Sequence, residues 1–378
     1  MKFIYIHTLD LNYSETSETF VIYNVLSLAQ FLESIELVLI NRGSKKPADL
    51  IKEKFDLDHI PENLKITDYP LRTHSKLPFY LFVRKYIKSV PKDVLVITRA
   101  HGVLRWLFFY NRPAQKVFFE THDYFFDLSR RVDVGKKGRN KKSRIERKYF
   151  RKLSGIISSN DYQATLYAEH FPKLPVKSFP TGLLKVHRVT EQRTDRIAYI
   201  GTLEPRLGMD RVINLIEYID SSVEIIIIGG RGEKDINQFK SLFPEHKLPK
   251  NVRITGWLKK KELYEILRTI KIGLLPLYAD QNRFALPLKI FDYFAFGIPV
   301  LSTRLPAIEN IIVDEKTGYY VDWESPRLLA EKINRILNND QIWTKLSENV
   351  YEKANSMKWE QRAMDQVRFL KEMISKDV

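Results

Sequence analysis

The stretch that decides the fold runs from Phe284 to Thr303 and reads FALPLKIFDYFAFGIPVLST. Pro287 stands where a helix can begin, because the N–H that proline lacks would have no partner in a first helical turn. Gly297 is typical of the position just after a helix, and 298–301 has the composition of a buried strand. Another apolar strand, over 272–276, precedes the stretch. These signals predict strand, loop, helix and strand, the repeating unit of a parallel α/β sheet.

Lys289 and Asp292 lie three residues apart in this helix and therefore share one face of it. Open α/β sheets bind ligands outside the carboxyl ends of their strands, where the helix begins. The free N–H groups of a helix start also attract anions. Two interpretations are open: a site for an anionic ligand, or an amphipathic helix whose Lys and Asp form only a surface ion pair.

Composition limits the class of protein. The chain has 378 residues, 44% of them hydrophobic, which suits two domains with ordinary cores. The absence of cysteine excludes disulfides, thiol catalysis and cysteine-ligated metals. The apolar run at 1–7 is too short for a signal peptide, and no stretch approaches the roughly 18 apolar residues of a spanning helix. The net charge of +16 indicates an anionic partner, such as nucleic acid, anionic lipid or a nucleotide-linked substrate.

Short β-branched runs alternate with helical patterns along the whole chain, which predicts parallel α/β architecture. Each half contains about six candidate strands, the size of one doubly wound sheet. The candidate strands are 3–6, 36–40, 94–98, 117–120, 155–158 and 176–179 in the first half, and 196–201, 223–229, 252–255, 272–275, 298–302 and 318–321 in the second. We therefore expect a first domain over 1–184, a linker over 185–195, a second domain over 196–357, and a last helix over 358–378 that packs back on the first domain.

The densest charge lies between residues 130 and 152, where twelve basic residues accompany two acidic ones, a net charge of +10. We expect a mobile loop over 133–140 and then a helix capped by Ser143. A solvated surface, docking onto anionic lipid head groups and binding of a phosphorylated acceptor are all compatible with this charge. Nucleic acid is disfavoured because few aromatic residues interleave the charges. The candidate contacts of this segment are Arg144, Arg147 and Lys148.

The apolar segments 77–83 and 106–110 belong to the same domain as this basic stretch. Either could dip into a membrane interface, since both combine aromatic and aliphatic residues. Both also suit the core of the domain. The two interpretations differ in whether the apolar side chains are exposed.

Two clusters in the first domain could carry chemistry. Glu120-Thr121-His122-Asp123 follows a strand directly, which places His122 where it could act as a general base or polarise a reacting hydroxyl. A structural role is the alternative for a lone histidine. His7 ends the first predicted strand, and the polar loop after it, with Asp10 and Asn12, could hold an acceptor or serve only as a capping loop.

In the second domain the loop 201–208, GTLEPRLG, links a strand to a helix. It lacks the GxGxxG spacing, so a Rossmann dehydrogenase is disfavoured. Arg206 near the helix start could pair with a diphosphate. The sequence GGRG at 229–232 could let the backbone approach a ligand closely, or form a plain turn. The sequence contains no Walker A motif, metal-ligand constellation or G-x-S-x-G elbow.

The segment 287–300, PLKIFDYFAFGIPV, resembles the GT-B glycosyltransferases of the family-4 type, whose usual form here is close to PxKxxEYxAxGxPV. Shorter matches occur in the family's order: 199–203 as first strand and glycine loop, 228–230 and 254–257 as the ends of the next two strands, and 316–319 as the turn before the last strand. The resemblance implies two Rossmann-like domains facing across a cleft. It also implies that the first domain binds the acceptor and the second a nucleotide-sugar donor.

The resemblance further implies roles for individual residues. Asp292 takes the position of the carboxylate that holds the donor ribose, and an ionised carboxylate can accept from both hydroxyls of a diol. Lys289 and Arg206 would face the diphosphate as fixed positive charge on the leaving group. His122 matches the first-domain histidine near the transferred sugar. The other implied donor-binding positions are Gly201, Thr202, Thr255, Gly256, Trp257, Leu258, Pro287 and Leu288. No metal ion and no other cofactor is implied.

The chain departs from the family's E-x7-E pattern, because Phe284 and Asp292 replace the two glutamates. The first-loop Arg and Lys of many members fall on Thr202 and Leu207, which leaves the donor sugar undetermined. We expect a retaining glycosyltransferase, metal-independent, that uses a UDP or GDP sugar. Its acceptor would be a lipid-linked glycan or polysaccharide, for example in lipopolysaccharide biosynthesis, at the cytoplasmic face of an anionic membrane. A nucleotide-sugar 2-epimerase of the same fold, a non-catalytic glycosyltransferase partner and a nucleic-acid binder are the alternatives.

Overall fold

A computed structural model describes residues 1–13, 17–131, 137–230 and 232–375 of the chain. The chain divides into two compact units, one formed by Met1–Gly182 with Trp359–Val378 and the other by Leu183–Lys358. Each unit is built on one parallel sheet whose strands alternate with helices. This confirms the predicted α/β fold of two Rossmann-like domains. Continuous apolar runs such as EIIII at 224–228 form strands buried on both faces, as a parallel sheet covered by helices requires.

The first unit carries a seven-stranded sheet in the order β3-β2-β1-β4-β5-β6-β7. The order reverses between β1 and β4, which are hydrogen-bonded neighbours. Its strands are β1 (Lys2–Asp10), β2 (Ser34–Asn41), β3 (Leu64–Pro70), β4 (Leu95–Thr98), β5 (Val117–Glu120), β6 (Gly155–Ser158) and β7 (Val176–Ser178). Its first six helices are α1 (Glu18–Ala29), α2 (Pro47–Phe55), α3 (Leu77–Ser89), α4 (His101–Leu107), α5 (Lys137–Tyr149) and α6 (Asp161–His170).

The strand β3, with the sequence LKITDYP, was not among the six predicted strands of the first half. It forms one edge of the sheet, so it has a hydrogen-bonded neighbour, β2, along one side and none along the other. Edge strands tolerate charged residues and proline, so their sequences lack the apolar run that identifies a central strand. Lys65, Asp68 and Pro70 interrupt the apolar pattern here.

The second unit carries a six-stranded sheet in the order β10-β9-β8-β11-β12-β13. All six predicted strands form, with ends that differ by at most two residues. The strands are β8 (Arg196–Ile200), β9 (Glu224–Ile228), β10 (Val252–Gly256), β11 (Ile272–Leu275), β12 (Val300–Ser302) and β13 (Gly318–Tyr320). The remaining helices are α7 (Met209–Ile216), α8 (Glu233–Lys240), α9 (Lys260–Leu267), α10 (Ala279–Asn282), α11 (Lys289–Ala295), α12 (Pro326–Leu337), α13 (Asp340–Asn355) and α14 (Trp359–Ser375).

The helix predicted to begin at Pro287 is α11, which begins two residues later at Lys289. The carbonyl of Pro287 accepts a bond from the Ile290 N–H at 3.2 Å, so the proline opens a tight turn just ahead of the helix. Gly297 follows the helix with φ +65°, and a Cβ there would stand 2.4 Å from the Tyr351 ring. Backbone conformation and lack of space therefore both require glycine at this helix end.

The segment 185–195, which we expected to be a linker, packs onto the second unit. The guanidinium of Arg193 is buried and donates to the Ile270 carbonyl at 2.6 Å, and the His187 ring stacks on Phe296 with 4.6 Å between ring centres. The helix α14 belongs to the first unit, where Trp359 meets the Phe20 ring of α1 edge-on at 5.2 Å. The chain thus returns to its first unit after completing the second.

The helix predicted to start at Ser143 starts at least six residues earlier, because α5 begins at Lys137. Ser143 lies inside the helix, and its hydroxyl donates to the Phe126 carbonyl at 3.3 Å. A helix interior, not a cap, therefore explains this serine. Of the loop predicted over 133–140, residues 133–136 lie outside the described residues and residues 137–140 are helical. Within the described ranges, none of the helices combines the length and apolar character needed to cross a membrane.

Candidate functional site

The strand order of the second unit reverses between β8 and β11. At such a point the loops leaving the carboxyl ends of the two strands diverge, and open α/β sheets bind ligands in the crevice between them. The glycine loop 201–208 follows β8, and the segment 276–288 leads from β11 to α11. The predicted diphosphate contacts, Arg206 in the glycine loop and Lys289 at the start of α11, therefore lie at the edge of the sheet that suits a ligand.

Lys289, the first residue of α11, has a buried Nζ with no hydrogen-bond partner in the described part of the chain. Its ammonium lies 4.4 Å from the centre of the Tyr199 ring. Burial lowers the pKa of Lys289 to about 8, so the group is still mostly charged at pH 7. The interpretation of Lys289 and Asp292 as a surface ion pair is wrong. An unpartnered buried cation costs free energy, and an anionic ligand would offset that cost.

Gly201 lets the glycine loop approach this cation closely. A Cβ at position 201 would stand 2.6 Å from Lys289 Nζ, and Gly201 has φ +150°. The Oγ1 of Thr202 and the Oδ1 of Asp210 are also buried without a partner among the described residues. Asp210 lies in the first turn of α7, and its other carboxylate oxygen accepts from the Tyr278 hydroxyl. The loop and helix that follow β8 thus offer one hydroxyl and one carboxylate oxygen to a ligand.

Asp292 lies one helical turn beyond Lys289. Burial raises the pKa of its carboxyl to about 6, and the charge of Lys260 at the start of α9 opposes that rise. The carboxylate is therefore mostly ionised at pH 7. No hydrogen bond to it is recorded from any described residue, so it retains its full capacity to accept from a vicinal diol.

The other predicted donor-binding positions lie at the end of β10, directly after it, or just before α11, and those at 255–258 are the ones predicted to border the base. Trp257, directly after Gly256, has 74% of its surface exposed, and Leu288 is 48% exposed. Aromatic and aliphatic side chains this open to solvent offer apolar area to a planar ring. The Thr255 hydroxyl donates to the Gly256 carbonyl at 2.9 Å, and Leu258 packs against the core of the unit. Trp257 and Leu288 are therefore the two positions of this set that leave apolar surface for a ligand.

Arg206 lies in the glycine loop but its side chain is 66% exposed and pairs with Glu204 two residues earlier. A solvent-exposed pair of this kind contributes little. The structure therefore brings Lys289, Gly201 and Thr202 together and leaves Arg206 at the surface, where its role toward a diphosphate stays a prediction. Arg231 of the GGRG sequence lies outside the described residues.

His122 follows β5 in the first unit and part of its ring is exposed. Desolvation by its dense surroundings, together with the charges of Arg99 and Lys142, lowers the pKa of His122 well below its usual range. The imidazole is therefore neutral at pH 7 and can both donate and accept. The neighbouring carboxylates differ from His122. Arg131 Nη1 donates to Asp123 Oδ1 at 2.6 Å, and the Glu120 carboxylate is buried. His122 is the most exposed residue of this group.

His7 does not end β1, which continues to Asp10 through a register shift. The His7 ring is buried and its Nδ1 has no partner within the described residues. Asp10 is fully buried, and its carboxylate accepts from Asn12 Nδ2 at 2.8 Å and from Arg42 Nη1 at 3.2 Å. Asp10 and Asn12 therefore shape the end of β1 and the turn after it, where Asn12 is exposed and Arg42 is partly exposed.

The basic helix α5 is amphipathic. Its inward face holds Ser143, Ile145, Glu146 and Tyr149, and Glu146 bonds the His101 ring at 2.8 Å. Its outward face carries the exposed residues Lys141, Arg144, Arg147 and Lys148. In the ranges that the structure describes, no group of three His, Asp or Glu side chains is arranged to hold a metal ion.

Sequence patterns did not identify Arg211, which fixes the segment after β11. Its guanidinium lies 3.9 Å from the centre of the Tyr278 ring and donates to the carbonyls of Pro276 and Leu277, both at 3.2 Å. These partners are more than sixty residues away in sequence, so no local spacing could reveal them. The proximity of Lys260 to Asp292 was missed for the same reason.

Residues 186–357 match the profile of the family described as glycosyl transferases group 1. The second unit belongs to this family. The chain is 22% identical over 173 residues to a D-inositol 3-phosphate glycosyltransferase from Corynebacterium glutamicum strain R, covering 44% of this chain and 40% of that protein. It is 25% identical over 112 residues to a chitobiosyldiphosphodolichol beta-mannosyltransferase from Candida albicans, covering 29% and 24%. The chain thus spans less than half the length of these curated relatives.

Solved structures resemble the chain over its whole length. Anabaena HepE in complex with UDP and glucose gives a TM-score of 0.72 at 11% identity, covering 98% of this chain and 100% of that one. TarM gives 0.69 at 13% identity, covering 97% and 98%. Likeness at such identities concerns the fold, which is that of the GT-B glycosyltransferases, and the family resemblance stated from the sequence is confirmed.

Proposed function

We propose that the protein is a glycosyltransferase that moves a sugar from a UDP or GDP sugar to a lipid-linked or polysaccharide acceptor. The observation that carries this proposal is the buried, unpartnered ammonium of Lys289 at the reversal point of a group 1 domain. A diphosphate is the ligand that such a cation, set against a glycine loop, would hold. The solved complex of HepE with UDP and glucose supports a uridine nucleotide as the first ligand to test.

In this proposal Lys289 neutralises the charge that develops on the leaving diphosphate. Asp292 accepts hydrogen bonds from the ribose diol, and Trp257 with Leu288 covers the base. The unpartnered oxygen of Asp210 accepts from a hydroxyl of the donor. On the first unit, neutral His122 contacts the transferred sugar and polarises a hydroxyl.

Thermal stabilisation across UDP, GDP, ADP, TDP and their sugars tests the donor site, because a ligand that binds the native state raises the unfolding midpoint. Lys289→Met should remove most of the nucleotide-induced shift, an affinity loss of roughly 10- to 100-fold for a charge-assisted hydrogen bond worth about 1.5–3 kcal/mol. It should also raise the midpoint of the free protein, since a buried charge is removed. Lys250→Met, at an exposed lysine of the same unit, is the control.

If Lys289→Met lowered the midpoint of the free protein and left the nucleotide-induced shift intact, Lys289 would be structural and the donor site would lie elsewhere. Product analysis separates transfer from the epimerase alternative, which would alter the donor without an acceptor. We propose retention of anomeric configuration, and nuclear magnetic resonance of the product tests it. Turnover in the presence of a chelator tests the proposed independence from metal.

The proposed location is the cytoplasmic face of an anionic membrane. Supporting it, the exposed face of α5 is basic, and α4 packs against both α3 and α5. Leu81 in the apolar segment 77–83 is 47% exposed, and Tyr110 in the apolar segment 106–110 is 62% exposed. The guanidinium of Arg84 lies 4.0 Å from the Tyr110 ring centre. Exposed apolar and aromatic groups among cations favour an interface with anionic lipid.

Flotation with vesicles containing anionic lipid tests the membrane proposal. Replacement of Arg144, Arg147 and Lys148 by glutamine should abolish most salt-sensitive binding, at about 1 kcal/mol per charge. The same loss of charge on the second unit, by replacement of Arg327, Arg335 and Lys345, should leave binding unchanged. Equal effects of the two triple variants would show that only net charge matters and would refute docking through α5.

A further inference from the structure

The carboxyl ends of β1, β2 and β3 surround an open depression of about 530 Å³ in the first unit. The proposed donor site and His122 do not use it. Its lining combines three basic side chains with a tyrosine, a leucine and a threonine. The lining residues are Tyr13, Arg42, Leu71, Arg72, Thr73 and His74.

A partly buried polar network holds Arg42 at this depression. Asp10, fully buried, holds Arg42 through the 3.2 Å contact to Nη1. Asn12 joins the same carboxylate and donates to Asn41 Oδ1 at 2.9 Å. A Cβ at Gly43 would stand 2.0 Å from the Asn12 side chain, so the loop after β2 closes tightly over this network. Arg42 is therefore positioned by the fold and is not a freely moving surface residue.

The cations around the depression have capacity left for a ligand. Arg42 spends one nitrogen on Asp10, and a guanidinium carries five N–H donors. Arg72 and His74 are exposed, with no hydrogen bond or ion pair recorded for either among the described residues. Two carboxylates belong to this network: the Asp10 side chain is 1% exposed behind Arg42, and the exposed Asp68 accepts from Asn41 Nδ2 at 2.8 Å. Neither of them lines the depression, whose charged lining residues Arg42 and Arg72 are both cationic.

Two further features point to a sugar that carries the anion. Tyr13 is 58% exposed, and an aromatic ring of this kind can stack on the apolar face of a pyranose. Lys76, two residues beyond His74, donates to the Thr8 carbonyl of β1 at 3.3 Å. Positive charge thus continues from the depression to the strand that carries His7, along the same edge of the sheet.

We propose that this depression binds the anionic group of a glycan acceptor, with Arg42 and Arg72 holding its oxygens and Tyr13 stacking on the sugar ring. Planar guanidinium groups hold carboxylate and phosphate oxygens in a bidentate manner. The proposal rests on the proposed function, because it names the chemical class of the acceptor. A sugar carboxylate and a sugar phosphate share this chemistry, and the probes below distinguish them.

Calorimetric titration of the full chain, without nucleotide, tests the site with trigalacturonate, inorganic phosphate and the neutral maltotriose. We expect trigalacturonate or phosphate to bind and maltotriose to bind at least tenfold more weakly. Arg72→Gln should weaken binding of the anionic probe at least tenfold, whereas Arg112→Gln, at another exposed arginine of the first unit, should leave that binding unchanged. The Arg42→Lys variant keeps a positive charge beside Asp10, so it should fold. It should still bind the anionic probe more weakly, because lysine cannot make a bidentate contact with the anion.

Tight trigalacturonate with weak phosphate identifies a carboxylate ligand, and the reverse identifies a phosphate ligand; both support the site. Binding of neither anion, binding of maltotriose equal to that of trigalacturonate, or equal losses in Arg72→Gln and Arg112→Gln would overturn it. The nucleotide-induced thermal shift should be the same in all these variants. If the donor-site proposal were wrong, the wild-type protein would show no nucleotide-induced shift. If the proposal for this depression were wrong, that shift would remain and only the anion titrations would fail.

Discussion

The two sheets reverse strand order at equivalent places, between β1 and β4 in the first unit and between β8 and β11 in the second. Buried charge is used differently at the two places. In the first unit the carboxylate of Glu120 receives Arg362 of α14 at 2.6 Å and the Tyr5 hydroxyl. In the second unit the ammonium of Lys289 lies over the Tyr199 ring but has no hydrogen-bond partner in the described residues.

The difference separates a structural charge from a charge reserved for a ligand. A buried ion pair whose partners belong to the same unit is satisfied as soon as that unit folds, so its removal changes stability. A buried cation without a partner raises the free energy of the folded state until an anion binds. Its removal should therefore stabilise the free protein and weaken the complex. The three predictions below test this contrast between the two units.

The largest effect is expected from Arg362→Met in the first unit. The side chains of Arg362 and Glu120 are 4% and 1% exposed, and Arg362 also donates to Asn24 Oδ1 at 2.5 Å. Its loss leaves a buried carboxylate without its main partner, which should lower the free energy of unfolding by about 3–5 kcal/mol. Urea unfolding measures the loss, and hydrogen exchange should locate it in the first unit.

Arg368→Met provides the control, because Arg368 lies on the same helix with 64% of its side chain exposed. It should change the free energy of unfolding by no more than about 0.5 kcal/mol. The double variant with Glu120→Gln should regain part of the loss, since the unpaired charge is gone. A single variant as stable as wild type would contradict the structural role of this pair.

The fold, and the position of Lys289 and Asp292 on one helix after β11, could be predicted from sequence because their signals are local. The helix with Lys289 and Asp292, the glycine loop 201–208 and the strands around them are each defined within about fifteen residues. The pairing of Arg362 with Glu120 could not be predicted, because the two residues are 242 positions apart. The exposed position of Arg206 was missed for another reason: pairing with Glu204 turns its side chain to solvent, and a motif position does not reveal this.

A smaller effect is expected from Gly201→Ala in the second unit. The new methyl group would stand 2.6 Å from Lys289 Nζ at a φ of +150°, so the loop or the lysine must move. We expect a cost of about 1–3 kcal/mol in stability and a much reduced UDP-induced thermal shift. Gly138→Ala, in α5 of the first unit, is the control, because a Cβ there meets nothing within 4 Å. An unchanged UDP shift in Gly201→Ala would show that this loop does not face the nucleotide.

The smallest effect is a pH dependence that arises from Lys289. As pH rises above about 8, the stability of the free protein should increase and its affinity for UDP should decrease. Burial lowers its pKa to about 8 from 10.5 in the unfolded chain. This lysine therefore makes the free protein more stable as pH rises from about 8 toward 10.5, because the folded state releases the proton first. A bound diphosphate favours the charged form of Lys289, so UDP affinity should be flat from pH 7 to 7.5 and fall up to tenfold per pH unit above about 8.

Calorimetric titration of UDP from pH 7 to 9.5 measures this slope of affinity against pH, which Lys250→Met should retain. Lys289→Arg should remove the slope, since arginine keeps its charge throughout this range. A slope that persists in Lys289→Arg would assign the titration to another group and break the contrast between the two units.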